Sequence, residues 1–183
     1  MGLPAQSLSM NDASERLQGL PPVADARTRL VILGSFPGAA SLAAQQYYAH
    51  PQNKFWPILA ALWPAYPQPD RTDYAARCEW LLARGLGLWD VYDSCERQGS
   101  LDSAIRQPQV NDFAALMQRC PQLRAVAHNG GESFKHSGKL MGLGLEVYKL
   151  PSTSPANASV SWERKLAAWQ EVMQAAGLLE RES

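Results

Sequence analysis

The sequence predicts an α/β protein: a three-layer αβα sandwich around a central four-stranded, mainly parallel sheet. Four short apolar segments have the composition of buried strands, and segments with helical periodicity separate them. Strands that alternate with helices are joined by crossover connections, which favours parallel pairing with helices on both faces of the sheet. No internal repeat or low-complexity stretch interrupts this alternation.

The predicted strands are apolar and end at turn-forming residues. They are residues 29–34, 86–91, 123–128 and 145–150. Apolar residues at helical spacing predict helices at 55–63, 70–84, 111–119, from 131 to about 141, and 160–176. Pro57 fits the first turn of its helix, and Gly85 and Pro121 end theirs. Residues 92–109 predict a polar, irregular insertion with one helical turn near 101–105.

The chain is predicted to form a single domain over residues 28–176, since 183 residues are enough to bury a full core. Residues 1–27 lack the basic start and apolar centre of a secretory signal, so we expect a flexible, weakly ordered arm there. Residues 177–183 predict a polar tail. No apolar run approaches the roughly 18 residues of a membrane helix. These features favour a cytoplasmic protein that does not contact membranes.

Charge and cysteine content exclude two classes of protein. The formal net charge is +0, whereas a protein that coats nucleic acid without specificity is usually basic. An enzyme that grips a few phosphates with backbone amides remains compatible with neutrality. Cys78, Cys95 and Cys120 are widely spaced, which predicts reduced thiols and no metal site. Cys78 and Cys120, within and at the end of helical patterns, are expected to be small buried residues.

Three loops that follow predicted strands carry the unusual residues of this chain. They are residues 34–53, 128–131 and 151–157. Because the carboxyl ends of parallel strands meet at one edge of a sheet, we expect these loops to line a single pocket. The first loop holds two Tyr, one His and one Asn close together. Such side chains stack on and hydrogen-bond a flat, polar, heteroaromatic ligand, as a nucleobase pocket requires.

The motifs in these loops resemble the uracil-DNA glycosylase superfamily, and most closely its hypoxanthine-DNA glycosylase branch. They are GSFPG at 34–38, QYYAHPQNKFW at 46–56, HNG at 128–130 and LPSTSPANAS at 150–159. The resemblance covers roughly residues 28 to 176, with the strand order to match. It implies a monomeric enzyme that removes a deaminated base from DNA by cleaving its N-glycosidic bond. It also implies a four-stranded parallel sheet between helices, and no cofactor or metal.

Two departures from the wider superfamily fit the narrower branch. In the uracil-specific and mismatch-specific branches, the third residue of the first turn is an Asp or Asn that positions the attacking water; here it is Phe36. Leu150 stands where the uracil branch has the His that opens its motif. The hypoxanthine branch also lacks that acid or amide and relies on the Asn of an H-P-x-N segment. The resemblance therefore assigns catalysis to Asn53.

The residues also indicate alternatives for each candidate. Asn53 has an amide that can position water, but Asn is also favoured as the cap of a helix beginning near Phe55. Tyr48 is the candidate to stack on a flipped base, although one of the two adjacent tyrosines is expected to pack in the core. His50 and Asn129 are candidates to hydrogen-bond the base, with a structural His beside Pro and a turn-forming Asn as the alternatives. Phe36 completes the predicted base-binding set.

A second group of residues is predicted to contact the DNA backbone. Small hydroxyl side chains and free amides hold anions without requiring net positive charge. The candidates are Gly34, Pro37, Gly38, Ser41, Ser152, Thr153 and Ser154. The segment Pro155-Ala156-Asn157 resembles the minor-groove loop of the family; the alternative is a turn that caps the last helix.

Three other functions compete with hypoxanthine excision. One is a mismatch or uracil glycosylase of relaxed specificity, against which Phe36 counts. Another is a serine hydrolase built on Ser35, but the G-x-S-x-G motif is absent and no carboxylate is evidently placed to orient a His. A third is a nucleic-acid-binding module without catalytic activity, which would keep Tyr48 and yield no abasic product.

Overall fold

The computed structural model describes residues 15–181, and its helices and strands are numbered here in chain order. The strands are β1 (Arg16–Gln18), β2 (Leu30–Gly34), β3 (Leu86–Asp90), β4 (Tyr92–Glu96), β5 (Arg106–Val110), β6 (Ala125–Asn129) and β7 (Glu146–Leu150). The helices are α1 (Ala39–Ala44), α2 (Phe55–Leu62), α3 (Tyr74–Ala83), α4 (Phe113–Arg119), α5 (Gly131–Phe134), α6 (Ser137–Gly142) and α7 (Trp162–Ala175). Two 3₁₀ helices cover Asp102–Ala104 and Pro155–Asn157.

The main sheet is parallel and has the strand order β3-β2-β6-β7. Every residue of β2 and of β3 is buried, because helices cover the sheet. Burial on both faces explains why these strands appear in the sequence as continuous apolar runs rather than as alternating ones. The predicted four-stranded αβα architecture is confirmed.

A second sheet was not expected from the sequence. It is antiparallel, with the order β1-β4-β5, and it occupies most of the predicted irregular insertion at 92–109, so that prediction is wrong. The physical reason lies in β5, whose sequence RQPQV is polar and mostly exposed. An exposed edge strand has no apolar alternation by which the sequence would reveal it. The predicted helical turn near 101–105 corresponds to the first 3₁₀ helix.

The chain before residue 28 is only partly described. Residues 1–14 of the predicted arm lie outside the described residues. From residue 15 onwards the expectation of weak order is wrong, because β1 pairs with β4 and Leu20 is buried. The Tyr47 hydroxyl donates to the carbonyl oxygens of Leu20 (3.2 Å) and Pro21 (2.8 Å). The division of the chain into domains stays a prediction.

The carboxyl-terminal part of the chain differs from the prediction at several boundaries. The segment after 131 forms two short helices rather than one, and α7 begins at Trp162 after Ser161 caps it. Leu178 and Leu179, which fall in the predicted polar tail, pack against the core; residues 182–183 lie outside the described part. Within residues 15–181, no helix is both long and apolar enough to cross a membrane.

Candidate active site

The loops after β2, β6 and β7 meet at the carboxyl edge of the main sheet and enclose a cleft of about 630 Å³. Every site residue predicted from the sequence lines this cleft. These residues are Gly34, Phe36, Pro37, Gly38, Ser41, Tyr48, His50, Asn53, Asn129, Ser152, Thr153, Ser154, Pro155, Ala156 and Asn157. Segments that are about a hundred residues apart in sequence thus contribute to one cavity, as the parallel topology requires.

One side of the cleft is formed by four neutral side chains, Tyr48, Asn53, Asn129 and Thr153, which we call the amide wall; within it, Asn129 is hydrogen-bonded to Tyr48 and to Thr153. The Asn129 carboxamide donates to Thr153 Oγ1 (2.9 Å) and accepts from the Thr153 backbone N–H (3.0 Å). The same Asn129 Nδ2 donates to the Tyr48 hydroxyl at 3.3 Å. Asn129 therefore ties the end of β6 to the loop after β7. Its role in reading a base stays a prediction, and such a role requires it to exchange these partners.

Tyr48 combines an unusual backbone with a stacked side chain. Its φ is 54°, in the left-handed region that residues other than glycine rarely adopt. Its ring stacks on Phe55 with 4.1 Å between ring centroids and 23° between ring planes. Phe55 is fully buried, whereas Tyr48 is half-buried and lines the cleft. The core thus holds the Tyr48 ring in a fixed position. The neighbouring Tyr47 is the packing member of the pair, since it is buried.

Asn53 makes a hydrogen bond to the backbone through one polar side-chain atom and keeps the other available for a ligand. Its Oδ1 accepts the backbone N–H of Phe55 at 3.0 Å, where α2 begins, and its backbone N–H donates to the His50 carbonyl at 3.0 Å. These contacts fix the side chain in the turn before the helix, whereas the cap position expected for Asn53 belongs to Lys54, which has no side-chain capping bond. Its Nδ2 makes no hydrogen bond to another described residue, so the amide retains a donor for a ligand or a water.

His50 and Phe36 occupy contrasting positions in the cleft. His50 is exposed, and its Nδ1 accepts the backbone N–H of Gln52 at 3.1 Å. This contact stabilises the loop and leaves the other ring nitrogen exposed. Phe36 is 6% exposed, and the guanidinium carbon of Arg97 lies 5.2 Å from the centre of its ring. Phe36 therefore contributes apolar surface at the point where the related branches have a polar group.

The predicted phosphate-contacting hydroxyl groups stabilise the loops that carry them. Ser41 Oγ accepts from the Ala49 N–H, and Ser152 Oγ accepts from the Ser154 N–H, each at 3.2 Å. Ser154 Oγ likewise accepts from the Ala156 N–H at 3.2 Å. In all three cases the hydroxyl oxygen is the acceptor, so the hydroxyl proton remains available to an anion. Their contact with DNA stays a prediction.

Next to the amide wall lies a second set of polar side chains, Ser35, Asp90, Arg97 and Asp102, which we call the carboxylate wall; its two carboxylates and Arg97 were not among the site residues predicted from the sequence. The Ser35 hydroxyl donates to Asp102, and the Arg97 guanidinium donates to the Pro37 carbonyl at 2.6 Å. Burial raises the pKa of Asp102 and lowers the pKa of Arg97. Ser35, Asp90 and Asp102 line the cleft.

Asp90 has a strongly shifted pKa. It is the last residue of β3 and 5% exposed, and within residues 15–181 its Oδ2 has no hydrogen-bond partner. Burial, and then the charge of Asp102, raise the pKa of Asp90 to about 7, while Arg97 opposes this shift. The sequence could have indicated that Asp90 belongs to the site, since Asp90 ends a strand at the same edge of the sheet as the three loops.

None of the three histidines, all within the described residues, is hydrogen-bonded to Ser35. The Ser133 hydroxyl donates to the Leu33 carbonyl, so His128 Nδ1 must be the donor in its 2.7 Å contact with Ser133 Oγ. Burial lowers the pKa of His128 to about 4, which keeps it neutral. His136 contacts the Tyr92 hydroxyl at 2.8 Å. Ser35 pairs with a carboxylate instead, so the structure gives no support to the serine hydrolase alternative, which needs a Ser–His pair.

Together the fold and cleft define an α/β protein with a ligand site at the carboxyl edge of a parallel sheet, lined by aromatic and amide groups. The sequence model of the Uracil DNA glycosylase superfamily matches residues 21–175. That match spans most of the chain, and curated relatives more than 30% identical agree with it. The chain belongs to the uracil-DNA glycosylase superfamily.

Two curated relatives come from methanogenic archaea. A protein of Methanosarcina barkeri named hypoxanthine DNA glycosylase is 38% identical over 154 residues, which covers 84% of this chain and 96% of the relative. A Methanosarcina acetivorans protein of the same name is 36% identical over 155 residues, with 85% and 96% covered. A solution NMR structure of a candidate uracil DNA glycosylase from Methanosarcina acetivorans superposes with a TM-score of 0.78 at 34% identity, covering 89% of this chain and 99% of that one.

Proposed function

We propose that this protein is a DNA glycosylase that hydrolyses the N-glycosidic bond of hypoxanthine in DNA. Membership of the superfamily supports glycosylase chemistry, and the name shared by both curated relatives supports hypoxanthine as the base. The single observation that carries the proposal is the convergence of Asn53 and Tyr48 on one cleft. A flipped base requires a stacking surface and a positioned water, and these two residues offer both.

The reaction is a hydrolysis in which no covalent enzyme intermediate is needed. Water adds to C1′ of the deoxyribose while the bond from C1′ to the purine N9 breaks, and its electron pair leaves with the base. The water loses one proton and the base gains one, so the products are an abasic site and free hypoxanthine. An enzyme accelerates this step by holding the water and stabilising the separated charges.

Each wall of the cleft supplies one part of this chemistry. Asn53 positions the water through its amide, and Tyr48 stacks on the base. Asp90 in its protonated form donates a proton to the departing base and is then reprotonated from solvent; its raised pKa keeps that proton available near neutral pH. Phe36 leaves no second polar group to position water, which fits a site that depends on Asn53.

The proposal extends to the setting in which the enzyme works. We infer a monomer, as the family resemblance implies. We also infer a cytoplasmic location and a reaction without a cofactor, as the resemblance implies. Among residues 15–181, no group of three or more His, Cys, Asp or Glu side chains is arranged to hold a metal ion.

The test is a base-release assay on matched oligonucleotides that carry inosine, uracil or xanthine at one position. Alkali-labile strand breaks reveal abasic sites, and we expect inosine to be processed fastest. Faster release of uracil would favour the mismatch or uracil glycosylase. Binding to the oligonucleotides without any strand breaks would favour the inactive nucleic-acid-binding module.

A further inference from the structure

Acidic residues are missing from two long stretches of a chain whose formal net charge is +0. No Asp or Glu occurs between Asp25 and Asp70, and none occurs between Glu146 and Glu163. These stretches contain the loop after β2, the start of α2, the loop after β7 and the start of α7. A lysine in these segments therefore has no acidic neighbour in the sequence, although the chain as a whole is neutral.

Lys165, near the start of α7, is a buried lysine without a counterion. It is 5% exposed, and its ammonium group makes no hydrogen bond or ion pair with any of residues 15–181. Its Nζ still reaches solvent, because the side-chain atoms of residues 15–181 that are both fully buried and unpaired belong to other residues. Buried charges in proteins are normally paired, since removing an unpaired charge from water is unfavourable. The free position at Lys165 Nζ is therefore suited to an anion.

Two further features oppose a positive charge at Lys165. It lies in the first turn of α7, where its backbone N–H donates to the Ser161 carbonyl at 3.0 Å, and the amino end of a helix favours anions over cations. The rings of Phe55 and Trp169 lie 5.9 Å apart, so the start of α2, which Lys54 caps, packs against α7. Burial, and then the charge of Lys54, lower the pKa of Lys165. A bound anion would relieve all of these unfavourable interactions.

Both lysines belong to segments that are attached to the loop after β7. The backbone N–H of Lys54 donates to the Thr153 carbonyl at 3.0 Å. The other lysine is carried by α7, whose Trp169 donates its indole N–H to the Pro151 carbonyl at 3.3 Å. The cleft reaches this helix, since Val160, two positions before α7, lines it. Neither lysine lines the cleft itself, so the pair lies beside the base pocket and not in it.

We propose that Lys54 and Lys165 form a binding site for one phosphate of the DNA backbone, beside the loop after β7. This inference rests on the proposed function. A phosphate accepts hydrogen bonds from both ammonium groups and supplies the counterion that Lys165 lacks. Such a contact carries no information about the base, so it positions the strand while the cleft selects the base. A chain without net charge thus binds DNA through a local pair of cations.

The experiment measures equilibrium binding of duplex DNA that carries a tetrahydrofuran abasic analogue, which has no base to release. A protein that neutralises one phosphate fewer loses about 0.9 from the slope of log K against the logarithm of salt concentration. We expect this loss, and about tenfold weaker binding at low salt, for the double variant Lys54→Met, Lys165→Met. Lys165→Met alone should show a smaller loss in the same direction. Arg119→Met is the control, because it removes an exposed positive charge before β6, at the opposite edge of the sheet, and should change neither quantity.

Thermal unfolding gives a second readout, which an ordinary surface lysine would not change. Lys165→Met keeps an apolar stem and removes the unfavourable charge, so the free protein should melt at a higher temperature than the parent. Inorganic phosphate, compared with chloride at equal ionic strength, should raise the melting temperature of the parent more than that of Lys165→Met. Together, weaker DNA binding and a more stable free protein distinguish a ligand-binding lysine from a packing residue.

Three results would overturn the phosphate site. One is a double variant with the affinity and salt slope of the parent, and another is a Lys165→Met protein that melts below the parent, which shows a packing role. The third is stabilisation by inorganic phosphate without any change in DNA affinity, which assigns the lysines to a small free anion. Base release is measured separately: a parent that binds this DNA as expected but releases no hypoxanthine refutes the proposed function and leaves the phosphate site standing.

Discussion

The amide wall and the carboxylate wall of the cleft hold their polar groups in opposite ways. In the amide wall, Asn129 pairs with Thr153 and Tyr48, and Asn53 pairs with the backbone of α2. In the carboxylate wall, Asp90 Oδ2 and Arg97 Nη1 are buried without hydrogen-bond partners within the described residues. The first wall is a rigid frame that positions a ligand. The second retains buried groups whose charge is unfavourable until something binds.

The walls meet at Gly34, where β2 ends. A Cβ atom built on this residue would clash with Oδ1 of Asp90 and would lie 3.5 Å from the Tyr48 hydroxyl. Gly is therefore required here for close approach of side chains rather than for an unusual backbone angle. This contact places the stacking ring and the titrating carboxyl group at the same end of the cleft, as joint action on one base demands.

The strongest test of the amide wall is Asn53→Ala. We expect the rate of hypoxanthine release to fall at least about 100-fold, because one positioned polar group is lost from the site of bond cleavage. We also expect a loss of about 1 kcal/mol in the free energy of unfolding, since Oδ1 no longer accepts from Phe55. Single-turnover kinetics and thermal unfolding measure the two effects.

Asn53→Asp separates those effects. It keeps an oxygen for the Phe55 N–H and replaces the unpaired Nδ2 by a second oxygen, so stability should return while the rate stays at least about tenfold below the parent. A rate for Asn53→Ala within threefold of the parent would leave Asn53 with only a structural role in the turn before α2 and would break the contrast between the two walls.

The difference between the walls also explains what the sequence could predict. Asn53 and Tyr48 lie in a strand-end loop whose turn residues and amides form a recognisable local pattern, and both line the cleft. The carboxylate wall depends on contacts that no local pattern encodes. Ser35 and Asp102 are 67 positions apart, and Arg97 and the Pro37 carbonyl are 60 positions apart. Asp90 was included in an apolar strand, where its chemistry was overlooked.

The antiparallel sheet was not predicted for the same reason: it depends on contacts between distant segments of the chain. Strand β4 pairs with β1 and β5, and the loop between β4 and β5 brings Asp102 to the cleft and Arg97 against Phe36 and Pro37. Because β5 is polar and exposed, its formation depends on pairing rather than on burial of its own side chains. Apolar residues repeat every 3.6 positions in a helix and every 2 in a strand, and these periodicities predict the core. They give no information about the carboxylate wall.

The main test of the carboxylate wall is Asp90→Asn. The variant keeps the shape of the side chain and loses the transferable proton, so we expect hypoxanthine release near pH 6 to fall about 100-fold. The parent rate should decline as the pH rises through about 7, where Asp90 loses its proton, and the variant should lack this decline. Asp102, Arg97, Tyr47 and Tyr48 are the ionisable groups coupled to Asp90. A pH profile of the variant that matches the parent would exclude Asp90 as the proton donor.

The same variant should be more stable than the parent at alkaline pH. The folded-state pKa of Asp90 is about 7 and its ordinary value is 3.8, so the folded protein binds the proton more tightly. The associated stability is fully present below pH 3.8 and is lost as the pH rises through 7. At pH 8 we expect Asp90→Asn to raise the free energy of unfolding by at most about 4 kcal/mol, at about 1.4 kcal/mol per pKa unit. Denaturant unfolding at pH 4 and pH 8 measures this difference, which should vanish at pH 4.

The smallest expected effect is that of Tyr48→Ala, and it tests how the amide wall holds a base. Base–aromatic stacking contributes about 1–3 kcal/mol, so we expect roughly tenfold weaker binding of inosine-containing DNA. Tyr48→Phe keeps the stack on Phe55 and loses only a 3.3 Å hydrogen bond from Asn129, so its binding should stay within about threefold of the parent. Equilibrium binding under conditions that prevent catalysis measures both variants. If Tyr48→Ala binds as tightly as the parent but melts far lower, Tyr48 is part of the core, and the stacking surface of the cleft must come from another aromatic side chain, such as Phe36.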